Sequence, residues 1–278
     1  MYQDLKGKNA LITGSGKKSG IGYAVAQKLA ESGVNIVIAD LLKMENHDQQ
    51  HISDNREEIT ALAEDLARQF AIQALFVAVD VTDNTSIKQM VGLIKSRFEN
   101  VQILCNNAGA VFGVPGAIHE YDDDAWFKTL DVNLNGVFRV SKAVIPLMIE
   151  TGGCVINIAS RAAKVPPLFN GAYAVAKAGI VMLTKVMARE LAGSNIRVNA
   201  VCPGVITTDF TRWRFDLEAR ILNSTKEERE AEMVQTIPLG RLGSSEEVAN
   251  LVAYLASSQS SYMTGQAINV TGGQLMEI

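Results

Sequence analysis

Cysteine and histidine are scarce in this chain of 278 residues, with three of each. Cys105, Cys154 and Cys202 stand far apart inside apolar runs. An odd, scattered set argues against a disulfide framework and fits small buried hydrophobes in strands. His47, His51 and His119 lack zinc-site spacing to the cysteines, so no metal is expected. Basic charge is not in excess. Lys and Arg number 26 against 30 Asp and Glu, a net charge of −4, and no basic field draws in nucleic acid. No apolar run reaches the length of a membrane span. Residues 1–8 are polar and lack the apolar stretch of a secretory signal, which implies a cytoplasmic protein. Internal repeats and low-complexity linkers are missing. So is Gly-x-x-x-x-Gly-Lys-Ser/Thr, which disfavours a P-loop nucleotidase.

What is present reads as an ordinary globular chain, 47% hydrophobic and 20% charged, able to bury one sizeable core. Apolar runs of strand length, over 9–13, 34–39, 75–79, 103–105, 155–159, 197–201 and 267–270, alternate with helical patterns. The helices fall over 21–32, 57–70, 123–149, 173–191 and 245–256. Strands that are continuously apolar are buried on both faces, as in a parallel sheet. The alternation predicts an α/β fold: a single-domain Rossmann architecture with a doubly wound sheet of about seven strands flanked by helices. Ser244 with Glu247 predicts a capping box. Two segments are polar outliers, 43–56 and 207–235. The second mixes charge with Phe210, Trp213 and Phe215 and is expected to be a substrate lid.

The first strand runs into Gly14-Ser15-Gly16-Lys17-Lys18-Ser19-Gly20-Ile21-Gly22, and a helix follows. Glycines there permit a tight turn and close approach of a pyrophosphate to the backbone. The helix start offers free N–H groups to the phosphates. Asp40 closes the second strand. A carboxylate at that place accepts from adenosine ribose hydroxyls and repels a 2′-phosphate, favouring NAD. Lys17, Lys18 and Lys43 are cations that can instead meet a 2′-phosphate, so NADP stays open.

Tyr173 and Lys177 form Tyr-x-x-x-Lys on a predicted helix, one turn apart on one face. A free phenol titrates at about 10, and a neighbouring ammonium favours its ionised form. Ser160 ends the strand over 155–159, and strand C-termini of a parallel sheet face the ligand crevice. Asn106-Asn107-Ala108-Gly109 follows another strand, Asn133 lies within a helix, and Pro203 to Thr208 follow the strand ending at Val201.

These motifs, in this order over nearly the whole chain, closely resemble the short-chain dehydrogenase/reductase family. The resemblance implies that Tyr173 is the acid/base and that Ser160 orients the substrate. It implies that Lys177 binds the nicotinamide ribose and lowers the tyrosine pKa, while Asn133 holds a relay water. It also implies cofactor contacts at Gly14, Ser15, Ser19, Gly20, Ile21, Gly22, Asp40, Asp80, Val81, Asn107, Ala108, Gly109, Pro203, Ile206 and Thr208, besides Tyr173 and Lys177. The glycine loop departs from the family, being two residues longer between Gly14 and Gly20, which leaves open whether Ser15 or Ser19 supplies the usual hydroxyl. Longer loops resemble those of enoyl reductases of the superfamily, which space their Tyr and Lys more widely. Carbonyl or alcohol chemistry is therefore expected over alkene reduction.

The resulting expectation is a homotetrameric NAD(P)-dependent enzyme that interconverts a secondary alcohol and a ketone. Residues 265–274 resemble sugar-alcohol dehydrogenases and hint at a polyol or sugar derivative. The alternatives are an NADPH-dependent 3-oxoacyl thioester reductase and a non-catalytic dinucleotide sensor. Arg161, Lys164, Arg212, Arg214 and Arg220 form a cationic set that either binds an anionic substrate or is salt-bridged surface charge.

Overall fold

A computed structural model describes residues 2–42 and 56–277. Lys43, His47 and His51 lie outside the described residues. Seven strands form one parallel sheet: β1 (Asn9–Thr13), β2 (Asn35–Asp40), β3 (Ala74–Ala78), β4 (Ile103–Asn106), β5 (Gly153–Ile158), β6 (Ile196–Pro203) and β7 (Ala267–Val270). Their order is β3-β2-β1-β4-β5-β6-β7. In the centre, Leu11 pairs with Val37 on one side and Leu104 on the other. Leu11, Ile36, Ile38 and Leu104 are fully buried. Each such side chain contributes about 1.5–3 kcal/mol relative to exposure. That burial on both faces is why these runs carry no polar alternation.

Two helical layers cover the sheet. On one face α1 (Ile21–Ala30), α2 (Arg56–Phe70) and α9 (Ser245–Ala256) share a core with residues such as Ile12 and Ile36. On the other, α3 (Asn84–Phe98), α5 (Gly136–Val144) and α6 (Gly171–Leu191) pack around Leu11, Val37 and Leu104. The chain reverses its direction of winding between β1 and β4, so their C-terminal ends open a crevice at the switch point. The predicted capping box forms. Ser244 Oγ accepts from the Glu247 N–H at 3.2 Å, and Glu247 Oε2 accepts from the Ser244 N–H at 2.8 Å.

Two readings from sequence are corrected. The helix expected over 123–149 is broken into α4 (Asp123–Leu130), a π-helical turn (Asp131–Asn135), α5 and a 3-10 turn (Ile145–Leu147). Pro146 has no N–H to continue α5. The π turn adds one residue to a helical turn and swings Asn133 wholly inside. The second concerns length: 171–194, which is α6 with its 3-10 extension, is long and apolar enough by composition to cross a membrane. Its Ala172, Ala176, Ile180 and Thr184 are buried, and it packs on β6 as a core helix. Segment 207–235 contains α7 (Asp209–Leu222) and α8 (Lys226–Gln235), which pack on each other.

Candidate active site

The glycine turn follows β1 at the crevice. Gly14 has φ +66, a left-handed conformation that a side chain disfavours. A Cβ on Gly22 would strike the Gly14 carbonyl, so α1 abuts the strand end only with glycine there. Asn107 stitches the two strand ends together: its Nδ2 donates to the carbonyls of Thr13 at 3.0 Å and Gly14 at 2.7 Å. The backbone N–H groups of Asn107 and Ala108 both donate to Thr13 Oγ1 at 3.1 Å.

The structure separates the two loop serines. Ser15 is fully buried and donates its hydroxyl inward to the Ile12 carbonyl at 2.8 Å. Ser19 donates to Asp209 Oδ2 at 2.6 Å, at the start of α7. Asp40 accepts the Gly16 N–H through Oδ2 and the Leu41 N–H at 2.8 Å through Oδ1. Burial raises its carboxyl above the usual range, against the pull of those two bonds and of Lys17. Asp80 accepts from the Thr82 N–H at 2.8 Å and hydroxyl at 2.6 Å, and Val81 packs against Gly136. Asp40, Asp80 and Val81 lie outside the main cavity, along the same edge of the sheet. Lys18 sits by a second hollow with Tyr23 and Arg68, and Lys17 is near Asp209, Asp40 and Glu58.

That cavity has a volume of about 660 Å³. Ile21, Asn107, Gly109, Pro203, Ile206 and Thr208 border it, together with Asn133, Ser160, Tyr173 and Lys177. Ser160 follows β5, and its Oγ accepts the Ala162 N–H at 3.1 Å. Its side chain lies near enough to Tyr173 to favour the ionised phenol. Lys177 is buried and donates Nζ to the Ile158 carbonyl at 2.9 Å, with the ammonium 5.5 Å from the centre of the Tyr173 ring. Asn133 Nδ2 donates to the carbonyls of Ala110 at 2.5 Å and Thr129 at 2.8 Å. Its Oδ1 is buried with no protein partner among the described residues and faces Gly109, close to Lys177 Nζ.

The electrostatics differ from the helical-pair argument. Burial pushes the Tyr173 phenol above its ordinary pKa. The Ser160 side chain and then the positive charge of Arg214, on α7, act to lower it. Desolvation outweighs both, and Lys177 is not among the causes that lower the phenol's pKa. Burial also pulls Lys177 down to about 8.

Segment 207–235 supplies one wall of the cavity through Phe210, Trp213, Arg214 and Leu217. Beneath the site a polar ladder joins four elements. Asn106 Nδ2 donates to Asn157 Oδ1 at 2.8 Å and Ser141 Oγ at 3.0 Å, and Asn157 Nδ2 donates to Thr184 Oγ1 at 2.9 Å. The ladder itself escapes sequence reasoning, where Asn106 enters only as the first residue of the run after a strand. Its only signal is an amide inside an otherwise apolar strand.

A dinucleotide fits this arrangement. The glycine turn leaves the backbone bare, the N-terminus of α1 borders the cavity, and Asn133 carries an unused acceptor beside Lys177. Among the described residues no cluster suits a metal ion.

Comparison with known proteins bears on the site. The family model described as Enoyl-(Acyl carrier protein) reductase matches residues 14–274. The chain is 38% identical over 267 residues to trans-4-hydroxycyclohexanecarboxylate dehydrogenase of Sinomonas cyclohexanicum, covering 96% of this chain and 92% of that one. It is 35% identical over 270 residues to the 3-oxoacyl-[acyl-carrier-protein] reductase FabG of Thermotoga maritima, covering 97% and 98%. Among solved structures, L-sorbose reductase of Gluconobacter frateurii, complexed with NADPH and L-sorbose, superposes with a TM-score of 0.88 at 30% identity, covering all of both chains. NAD+-bound xylitol dehydrogenase gives 0.85 at 30% identity, covering 97% and 99%.

Proposed function

We infer that this chain, which belongs to the short-chain dehydrogenase/reductase family of NAD(P)-dependent oxidoreductases, interconverts a secondary alcohol and a ketone. The observation that carries this reading is the convergence of Ser160, Tyr173, Lys177 and Asn133 on one cavity beside the glycine turn.

Bound nicotinamide dinucleotide supplies or accepts the hydride. The chain positions the substrate and handles the proton. Ser160 holds the substrate oxygen, and Tyr173 exchanges its hydroxyl proton with that oxygen. Lys177, neutral or charged near pH 8, binds the ribose and passes the proton onward. The unused Asn133 Oδ1 holds a water on that path. In this reading Gly14, Gly20, Ile21 and Gly22 present the phosphate cradle. Asp40 selects NAD, Asp80 and Val81 border the adenine, and Ile206 and Thr208 hold the carboxamide. Ser19 serves by anchoring the cradle to α7, and Ser15 by bracing it from below. Segment 207–235 is the substrate lid.

The four-residue spacing of Tyr173 and Lys177 supports alcohol or carbonyl chemistry over alkene reduction. Sorbose and xylitol are substrates named for structural neighbours, and they support a polyol or sugar derivative. A second reading, a 3-oxoacyl thioester reductase using NADPH, is favoured by the FabG relative. The tetrameric reading draws on large exposed apolar side chains on α4 to α6, among them Phe127, Phe138 and Met182. The testing experiment is a panel of secondary alcohols, sugar acids and 3-oxoacyl thioesters, assayed by NAD(P)H absorbance with each dinucleotide. Oxidation of a free alcohol with NAD is expected. Activity confined to acyl thioesters with NADPH would select the second reading.

A further inference from the structure

We propose that Arg161 and Arg214 form a carboxylate subsite inside the substrate cavity, so that the alcohol or ketone carries a carboxylate group. The inference rests on the oxidoreductase reading and names the substrate class for it.

Arg161 directly follows Ser160, on the 3-10 turn Arg161–Ala163, and lines the cavity half-buried. Among the described residues its guanidinium meets no carboxylate and no hydrogen-bond acceptor. Burial and the nearby Arg214 hold it below its ordinary pKa, and no acid offsets them. A partly desolvated guanidinium without a counter-ion costs stability. A ligand anion removes that cost.

Arg214 comes from α7 and lies close enough to act on both Arg161 and Tyr173. Its Nε donates to Glu218 Oε1 at 2.7 Å, which leaves both Nη groups without a hydrogen-bond partner among the described residues. Glu218 is itself shared, since Arg229 Nε lies 4.0 Å from its other oxygen. Among the described residues the only other acid on the lining is Glu120, exposed and 3.7 Å from His119.

The rest of the cationic set is paired or lies outside the cavity. Lys164 donates to the Ala267 carbonyl at 2.8 Å, Asn269 Oδ1 at 2.9 Å and Glu277 Oε2 at 2.5 Å. Arg212 pairs with Asp209 at 3.0 Å, and Arg220 is exposed outside the cavity. What remains is one uncompensated guanidinium and the free fork of a second. Two planar forks match a planar carboxylate, and one free charge matches a monoanion. Leu168, Phe169, Trp213 and Leu217 offer apolar walls for the carbon body.

The test is calorimetric titration of the NADH-saturated protein with cyclohexanecarboxylate and with its neutral isostere, cyclohexanecarboxamide. The carboxylate is expected to bind at least about tenfold more tightly, the range of a charged hydrogen-bonded contact. Arg161→Gln is expected to bring the carboxylate down to the amide's affinity and leave the amide unchanged. Equal affinity in the native protein, an equal loss for both ligands in Arg161→Gln, or binding of neither overturns the proposal. Turnover is measured separately, with 4-hydroxycyclohexanecarboxylate and cyclohexanol. Carboxylate preference without any hydride transfer would sink the oxidoreductase reading and leave the subsite standing. Oxidation of cyclohexanol with no carboxylate preference in binding would do the reverse.

Discussion

Ser19 of the glycine turn and Asp209 of α7 are joined by a hydrogen bond of 2.6 Å across 190 residues of sequence. That bond is the first cause holding the Asp209 carboxyl below its usual range, with Arg212 and Lys17 adding to it. The Ser19 carbonyl also accepts from Ser245 Oγ at 3.3 Å, at the start of α9. The longer glycine loop thus reaches α7, and in the proposed function this bond couples the dinucleotide cradle to the substrate lid. Ser19→Ala is expected to raise KM for dinucleotide and for alcohol together, by about tenfold or more for one charge-assisted bond, with kcat little changed. Steady-state kinetics varying each substrate checks this. A change in the dinucleotide KM alone contradicts the coupling.

Arg214 gives a pH prediction. In the proposed mechanism Tyr173 must be ionised to accept a proton in alcohol oxidation, so that rate rises with pH through the phenol's pKa. Burial raises this pKa, and the Ser160 side chain and then Arg214 lower it. Arg214→Gln removes a lowering cause, so the rising limb of oxidation moves to higher pH. Reduction, which needs the protonated phenol, persists to higher pH. The kcat–pH profile on a neutral secondary alcohol separates this from any carboxylate contact. A limb that stays in place contradicts the assignment.

Lys177 makes folding stability pH-dependent. Its ammonium titrates at about 8 in the fold against 10.5 when free. Between those values the unfolded chain binds more protons, so this residue makes stability rise with pH. Lys177→Met is expected to lose that upward slope between about pH 8 and 10.5. Urea midpoints across this window, compared with the native protein, test it. An identical slope in the variant would show that the buried lysine is not the source.

Asp40 accepts the Gly16 N–H, and the proposed reading also has it repel a 2′-phosphate. Asp40→Ala is expected to raise the NADP-to-NAD ratio of kcat/KM by about tenfold, since an opposing charge is removed. Equal losses with both dinucleotides would leave Asp40 as a loop latch only.

The sheet is legible in the sequence because strands buried on both faces are written as unbroken apolar runs. The site's outline is legible too, because Ser160 and Asn107 follow such runs and Tyr173 and Lys177 share one helix face. Other features depend on contacts that no local pattern encodes. A helical period does not foresee the π turn that turns Asn133 inward. Ser15 and Ser19 are the same residue type in one loop, yet one points under the sheet edge and the other to α7. Arg161 and Lys164 share a turn, but only Lys164 reaches Glu277, 113 residues away. The lowering cation at Tyr173 is Arg214, brought in from a separate helix, because the buried site adds desolvation that spacing alone does not reveal.

The most direct measurement is turnover and dinucleotide binding in Tyr173→Phe. Removing one hydroxyl from the cavity is predicted to cut turnover by about two to four orders of magnitude, the size of a general acid–base contribution, while NAD(H) affinity stays within about twofold. Native-level turnover in that variant would contradict the account at its centre.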